Sequence, residues 1–329
     1  MSKVVAYPRL HLGLLDCGLS TSRRFGGLGF AVQGLPLTLS VRTDKSANSR
    51  PRLAGLFDSL DENACRDVEA VLCRLSQDVA LPGLTLTLES VPPQHVGLGS
   101  KTTLLLATVR GACAAAGIRM TPAAMQRVSG RGGASGVGLT TFFRGGFVVD
   151  AGHPRTDGHG LRPSGAIHSG RVPTVSVRSA MPREWVVTLA LANASGLSGA
   201  AEVKFFEEHT PIAEEDVRRA ITLAYHEVVP AVLERDLAAL GRGLTMLQSV
   251  GFKRHEIEAQ EDATRDLLDG LQSIAGVAAG MSSMGPMVFA IHAAKDITAA
   301  SSIVDHVQKL GGEVFGPFPM RNRGYVLHP

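Results

Sequence analysis

The sequence predicts an α+β protein built as two lobes, and three observations carry that reading. Its 329 residues are enough for two domains that each bury a core of their own. Strand-like runs precede helix-like runs in each half without regular β-α-β alternation, which argues against a doubly wound sheet. The dinucleotide fingerprint GxGxxG is also missing after an early strand, since "GGLGF" from Gly26 does not supply it.

Taken in order, "KVVAY" (Lys3 to Tyr7) and "LTLSVR" (Leu37 to Arg42) are short β-favouring runs. In "FDSLDENACRDVEAVLCRL", Leu60, Ala64, Val68, Val71, Leu72 and Leu75 share one helical face opposite a charged one, so a helix packs on the sheet there. Leu84, Leu86 and Leu88 alternate with Thr85, Thr87 and Glu89 at the two-residue period of a half-buried strand. From Ser100 to Ala116 only Lys101 and Arg110 are charged, as in a helix buried on most sides. "LTTFFRGGFVVDAG" (Leu139 to Gly152) reads as a hairpin of two β-rich arms about Gly145 and Gly146.

A stretch rich in Gly, Pro and His from about His153 to Arg171 lacks hydrophobic period and marks the boundary between lobes, placing them at 1–165 and 166–329. Beyond it come strand-like runs at Pro173 to Val177 and Trp185 to Ala192. Helical patterns follow at Ala213 to Glu227, Val229 to Leu247 and Gln260 to Ile274, then strand-like "PMVFAIHA", a helix near Ala299 to Leu310 and "GYVLHP".

Composition narrows function. A net charge of +3 and 5% aromatic residues give little for nucleic acid to bind, and no apolar run approaches the roughly 20 residues of a membrane helix. No export signal is visible, so the cytoplasm is the expected compartment. Cys17, Cys65, Cys73 and Cys113 show neither CxxC nor metal-ligand spacing and read as reduced core thiols.

The segment "HVGLGSKTTLLLA" (His95 to Ala107) places a lysine and two threonines behind a glycine turn. A nucleotide-binding P-loop needs GxxxxGK[ST]; here Ser100 precedes Lys101 and His95 stands five residues before Ser100, so both required glycines are missing. What remains is a glycine turn entering a helix, where backbone N–H groups can meet an anion. The helix end contributes only about 0.3–1 kcal/mol per exposed anionic group, so side chains must add the rest.

"PRLHLGLLD" (Pro8 to Asp16), "PPQHVGLGSKTT" (Pro92 to Thr103) and "AGMSSMGPMVFAI" (Ala279 to Ile291) fall in the order of the three motifs of the GHMP small-molecule kinase superfamily, which the chain resembles. Within it, "RRFGGLGFAV", "GRGGASGVGLTTFFRGGFVVDAGH" and "GLSGAAE" are similar to the β-ribofuranosylaminobenzene 5'-phosphate synthase branch. The resemblance implies a GHMP kinase-like two-lobed fold and a homodimer. It implies a reaction that joins phosphoribosyl pyrophosphate to a ring carbon of an aromatic acid, with loss of carbon dioxide and pyrophosphate and with Mg2+ as counter-ion. Lys101, where methanopterin-type members carry a small residue, points toward the subgroup that uses an aminopyrazole dicarboxylate in C-nucleoside assembly rather than 4-aminobenzoate. Two other readings stay open: an ATP-dependent small-molecule kinase and a non-catalytic ligand-binding relative.

On this resemblance Gly97, Gly99, Ser100, Lys101, Thr102 and Thr103 cradle phosphates. Arg9 and His11, two apart on an extended segment, face one side and engage the aromatic acid or the sugar phosphate, or else line a solvated edge. Arg131 and Ser135 lie in "GRGGASG", an N–H-rich loop suited to an anion or simply a glycine turn. Arg24 closes over substrate or lies on the surface. Asp150 binds ribose hydroxyls or the metal and His153 exchanges a ring proton, with structural hydrogen bonding as the alternative for both. Ser198, Glu202, Lys204, Ser282 and Ser283 are weaker candidates, and the metal ligands are left open.

Overall fold

The structure is a computed structural model that describes residues 1–44, 51–155, 161–162, 171–193 and 200–329. The first half begins with strands β1 (Ser2–Ala6), β2 (Arg9–Asp16), β3 (Arg23–Ala31), β4 (Leu37–Thr43) and β5 (Arg52–Gly55). Helix α1 (Glu62–Asp78), strand β6 (Leu84–Ser90) and helices α2 (Ser100–Ala115), α3 (Pro122–Ser129) and α4 (Val137–Arg144) follow, then strands β7 (Phe147–Asp150) and β8 (His153–Pro154). The second half runs through β9 (Val175–Ser179), β10 (Trp185–Leu191), α5 (Ala200–Glu208), α6 (Glu214–Leu223), α7 (Val229–Glu234) and α8 (Leu237–Gln248). It closes with α9 (Gly251–Glu258), α10 (Asp262–Ser273), β11 (Ala278–Met281), β12 (Val288–Ala293), α11 (Ile297–Lys309), β13 (Glu313–Pro319) and β14 (Val326–His328).

Three sheets organise these elements. The first has the order β14-β1-β4-β6-β5, antiparallel except where β5 runs parallel to β6. Val4, Leu37, Leu39, Val41, Leu86 and Leu88 face α1 and α2 from it, with Val68, Val71, Leu72 and Leu75 of α1 as the period predicts. Each fully buried side chain of this size is worth about 1.5–3 kcal/mol. A second sheet, β2-β3-β7-β9 with β8 on β3, and a third, β11-β12-β10-β13, share one core in which Phe30 meets the edge of Phe289 at 6.0 Å.

The boundary expected at 165/166 lies outside the described residues. Two strands that follow it nevertheless hydrogen-bond into sheets of the first half: β9 pairs with β7 and β14 with β1.

The hairpin expected at Leu139 to Gly152 is half wrong. Val137 to Arg144 is a helix: Leu139, Phe142 and Phe143 stand three and four apart, and the Thr141 hydroxyl donates to the Val137 carbonyl at 2.8 Å. Gly145 and Gly146, at φ of 63° and 81°, then end the helix and turn the chain into β7.

The break expected between the helices of 213–227 and 229–247 is also displaced. The chain passes from α6 through a π-helical stretch at Ala224–Val228 into α7, where Pro230 removes a backbone donor. It stops at Arg235, and Asp236 caps α8 by accepting from the Ala239 N–H. Among the cysteines, Cys17 and Cys113 are buried, but Cys73 is exposed on α1 rather than in the core.

Candidate active site

The three short motifs meet through their backbones. Gly97 sits at φ 89°, and a Cβ there would lie 2.1 Å from the Ser282 carbonyl oxygen, so only glycine lets the second motif pack on the third. The Gly97 carbonyl accepts from Arg9 Nη1 at 2.6 Å and from Ser282 Oγ at 2.8 Å. Ser282 Oγ also accepts from the His11 N–H at 3.0 Å, and the Ser283 N–H donates to the His11 carbonyl at 2.8 Å. Residues more than 270 apart in sequence are thereby fixed to one another.

Strand β2 delivers Arg9 and His11 to the same side, as their spacing predicts. The Arg9 guanidinium lies over Gly99, whose φ of 72° caps the N-terminus of α2. Arg9 keeps part of its surface open to the cavity, yet burial and then the charge of Arg131 bring its pKa down to about 10, so it stays cationic at neutral pH. Burial, Arg9 and Lys253 together hold the His11 imidazole well below its ordinary value, so it is neutral there.

The glycine loop after α3 is built from behind. Asp150 is fully buried, and its carboxylate accepts from the Ser135 hydroxyl, the Gly136 N–H and the Gly152 N–H, each at 2.9 Å. Burial raises its pKa to about 6, against the pull of those three donors. His153 Nε2 lies 2.8 Å from the Gly132 carbonyl, again on the inner side of the loop. Arg131 leaves the loop toward α2, where its Nε donates to Thr102 Oγ1 at 3.1 Å.

Between these parts lies a cavity of about 90 Å³. Arg9, His11, Thr102, Arg131, Ser135 and Ser283 line its polar side, and Leu14, Ala134, Leu139, Phe206 and Met284 its apolar side. Among the described residues two carboxylates also line it: Glu202 from α5 and Glu256 from α9. Burial raises the Glu202 pKa, with Arg131 and Arg9 opposing and Glu256 adding to the rise. Glu256 stands 3.0 Å from the Lys253 ammonium, and both side chains are almost fully buried. Lys253 Nζ in turn donates to the Ser283 carbonyl at 2.5 Å.

The structure brings some of the sequence candidates to the cavity and leaves others aside. Gly97, Gly99, Ser100 and Thr103 form the turn and helix start next to it rather than its lining, and Ser282, after β11, is bonded to that turn; Thr103 Oγ1 donates back to the Gly99 carbonyl. Lys101 is not part of its lining: half-exposed on α2, it forms an ion pair with Asp67 of α1, although its charge is felt by Glu202. Lys204 likewise points to solvent and pairs with Glu208 one turn on. Arg24 is neither a surface residue nor a lid but fully buried in β3, its guanidinium 5.5 Å from the Phe25 ring centre. Asp150 and His153 stand behind the glycine loop rather than in the cavity wall. Ser198 lies outside the described residues.

Lys253 and Glu256 were not legible as site residues. "GFKRHEIE" is so polar that it reads as a solvated surface, and the one local signal is the opposite charges three apart.

No family model matches the chain. Among curated proteins it is similar to β-ribofuranosylphenol 5'-phosphate synthase of Methanothermobacter thermautotrophicus, at 32% identity over 97% of this chain and 96% of that one. The enzyme of the same name from Archaeoglobus fulgidus is 31% identical over 86% of this chain and 85% of the relative. Solved structures share the fold: homoserine kinase from Cytophaga hutchinsonii superposes at a TM-score of 0.69 and 17% identity, over 99% of this chain and 97% of the kinase. Streptococcus pneumoniae phosphomevalonate kinase does so at 0.68 and 12%, over 95% of this chain and 98% of the kinase. The expected GHMP kinase-like α+β fold is thus observed.

Proposed function

Because the chain belongs to the β-ribofuranosylphenol 5'-phosphate synthase family, we propose that it is a decarboxylating C-ribosyltransferase acting on phosphoribosyl pyrophosphate and an aromatic acid. The supporting observation is one cavity that joins two arginines from separate motifs to an apolar wall. Arg9 and Arg131 meet the anionic donor, and the N-terminus of α2 adds its partial positive charge behind Gly99. Leu14, Phe206 and Met284 offer the ring a dry surface and keep water from C1 of the ribose.

The electrons balance without an outside reagent. The C1–O bond breaks and its pair leaves with pyrophosphate, while a ring π pair forms the new C–C bond at the carbon that bears the carboxylate. The ring–carboxylate bond then breaks, its pair restores aromaticity, and carbon dioxide leaves. No ring hydrogen is exchanged on this route, which is consistent with His153 serving the loop and not the chemistry.

Magnesium fits as the counter-ion of pyrophosphate. Such an ion needs only one or two protein oxygens beside those of the phosphates, and Glu202, within the fields of Arg131 and Arg9, is the carboxylate that would supply them. When bound, the ion neutralises charge on the departing pyrophosphate. Among the described residues no set of three or more acidic, histidine or cysteine side chains forms an all-protein site.

Lys101 no longer carries the preference for an aminopyrazole acid, because its ammonium is engaged by Asp67. The relatives' product is a ribofuranosylphenol, and putting carboxylate back in place of the ribosyl group gives a hydroxybenzoic acid. We therefore take a phenolic acid as the acceptor.

A panel assay tests the reading. The protein and magnesium are incubated with phosphoribosyl pyrophosphate and a set of aromatic acids, or with ATP and a set of small alcohols. Pyrophosphate and carbon dioxide in equal amounts are expected with a hydroxybenzoic acid. Alcohol-dependent ADP would establish a kinase instead, and donor binding without turnover a ligand-binding relative.

A further inference from the structure

We infer that Glu256 is the acceptor-recognition and proton-holding residue of the site, taking the hydrogen of a ring hydroxyl placed para to the carboxylate of the aromatic acid. The inference rests on the synthase reading above and names the substrate feature that its cavity selects.

Several observations converge on Glu256. It lines the cavity while only 4% exposed, and Phe206 and Met284 line the same cavity. Among the described residues its carboxylate faces the Lys253 ammonium at 3.0 Å, and its Oε2 has no hydrogen-bond donor in good geometry. Lys253 is itself fixed by donation to the Ser283 carbonyl, so the pair is tied to the third motif and cannot swing away. Arg9 and Arg131 line the same cavity, with Glu256 close enough for its charge to act on Arg9, and the two arginines claim the anionic end of whatever binds.

A buried ion pair is seldom kept for stability, since apolar residues of like volume often serve as well or better. Here one member is presented to a cavity beside an apolar wall. An aromatic acid bound there can meet the arginines with its carboxylate and Glu256 with a ring substituent, and Glu256 accepts but does not donate a hydrogen bond. A para hydroxyl gives that acceptor a donor in addition to Lys253; a hydrogen or a methoxy group leaves it with the Lys253 ion pair alone and forgoes one charge-assisted hydrogen bond.

The proton path closes. As the ring attacks C1 and pyrophosphate leaves, the hydroxyl proton passes to Glu256 and the ring oxygen becomes a carbonyl, so no positive charge accumulates on the ring. When the carboxylate leaves as carbon dioxide, the returning electron pair makes a phenolate, which takes the proton back from Glu256. Lys253, 3.0 Å from the carboxylate, fixes its orientation and is a positioning residue.

Glu256→Gln keeps the shape and removes the base. With a para-hydroxy acid, kcat is expected to fall by roughly 10²–10⁴-fold at neutral pH. It should then climb with pH toward the phenol's own ionisation, at roughly 9–10 by analogy with tyrosine, because a phenolate needs no base. Phosphoribosyl pyrophosphate affinity, read by calorimetry, should change far less than kcat. A structural role alone would give no such pH-dependent recovery.

A comparison on the unaltered enzyme needs no variant: the para-hydroxy acid should exceed its para-methoxy and unsubstituted analogues by at least about 10²-fold in kcat/KM. An undiminished Glu256→Gln, a loss that does not recover with pH, or equal use of the methoxy acid overturns the inference while leaving the synthase reading in place. Absence of pyrophosphate release by the unaltered protein with every acid overturns both.

Discussion

Lys101 and Arg131 are both cations beside a glycine-rich loop, and their surroundings give them opposite roles. Arg131 donates to Thr102 within the cavity wall, whereas Lys101 meets Asp67 at the surface. Arg131→Ala is therefore expected to raise KM for phosphoribosyl pyrophosphate by roughly 10–100-fold, the loss of a charge-assisted contact worth about 1.5–3 kcal/mol. Lys101→Ala should leave KM and kcat within about twofold, since an exposed pair contributes about 0–1 kcal/mol. Steady-state kinetics of the two variants side by side check this, and the reverse ranking would restore Lys101 to the site.

Asp150 makes a prediction about pH. Burial raises its carboxyl to about 6, against about 3.9 in an unfolded chain, so the fold holds this proton more tightly than the unfolded state does. The stability linked to that proton is fully present below about pH 4 and is lost as pH rises through about 6. Asp150→Asn does not titrate. The difference in unfolding free energy between the parent and this variant should thus shrink by on the order of 2 kcal/mol from pH 4 to pH 7 in denaturant titrations, and a constant difference would contradict the account. At this scale the sequence was legible where chemistry is local: Arg9 and His11 share a side because a strand alternates. It was not legible for Asp150 and His153, because nothing in "FVVDAGH" says whether a polar side chain faces a cavity or the back of a loop.

Elements carry the geometry of the site. The turn before α2 is shaped by where the third motif lies rather than by its own propensity. Gly97→Ala would set a Cβ against the Ser282 carbonyl at a φ of 89°, so it is expected to cost roughly 1–3 kcal/mol of stability and most of the activity. Thermal unfolding with parallel turnover measurements reads both, and a neutral result would mean that the two motifs do not pack as described.

Helix α4 and helix α9 show two ways in which an element is hidden. The threonines and phenylalanines of α4 favour strands one by one, but the wall they pack on selects the helical spacing of Leu139, Phe142 and Phe143. Helix α9 looks solvated because Lys253, Glu256 and their neighbours are charged, yet burial against β2 and the third motif turns two of those charges inward. Tertiary placement decided both, and a single sequence does not display it.

Across the whole molecule, the chain's end completes its beginning. Strand β14 pairs with β1, and Tyr325 just before it stacks on Phe142 at 4.9 Å and accepts from Arg110 Nε at 2.7 Å. Removing residues 325–329 is expected to destabilise the first sheet by about 2–4 kcal/mol, with the loss visible as earlier unfolding of the protein. An unchanged unfolding midpoint would show that this closure adds nothing. Such a return of the chain was not readable from "GYVLHP", which announces a strand but not its partner.

The same whole-molecule packing supports the proposed chemistry, because motifs from three distant parts of the chain and a helix with no motif of its own meet at one cavity. The most direct test joins phosphoribosyl pyrophosphate labelled with carbon-13 at C1 to a para-hydroxybenzoic acid labelled at the carboxyl-bearing ring carbon, followed by carbon NMR. The account predicts a one-bond coupling between the two labels, appearing in step with pyrophosphate and carbon dioxide. Pyrophosphate release with the ribose attached through oxygen, and no such coupling, would contradict it.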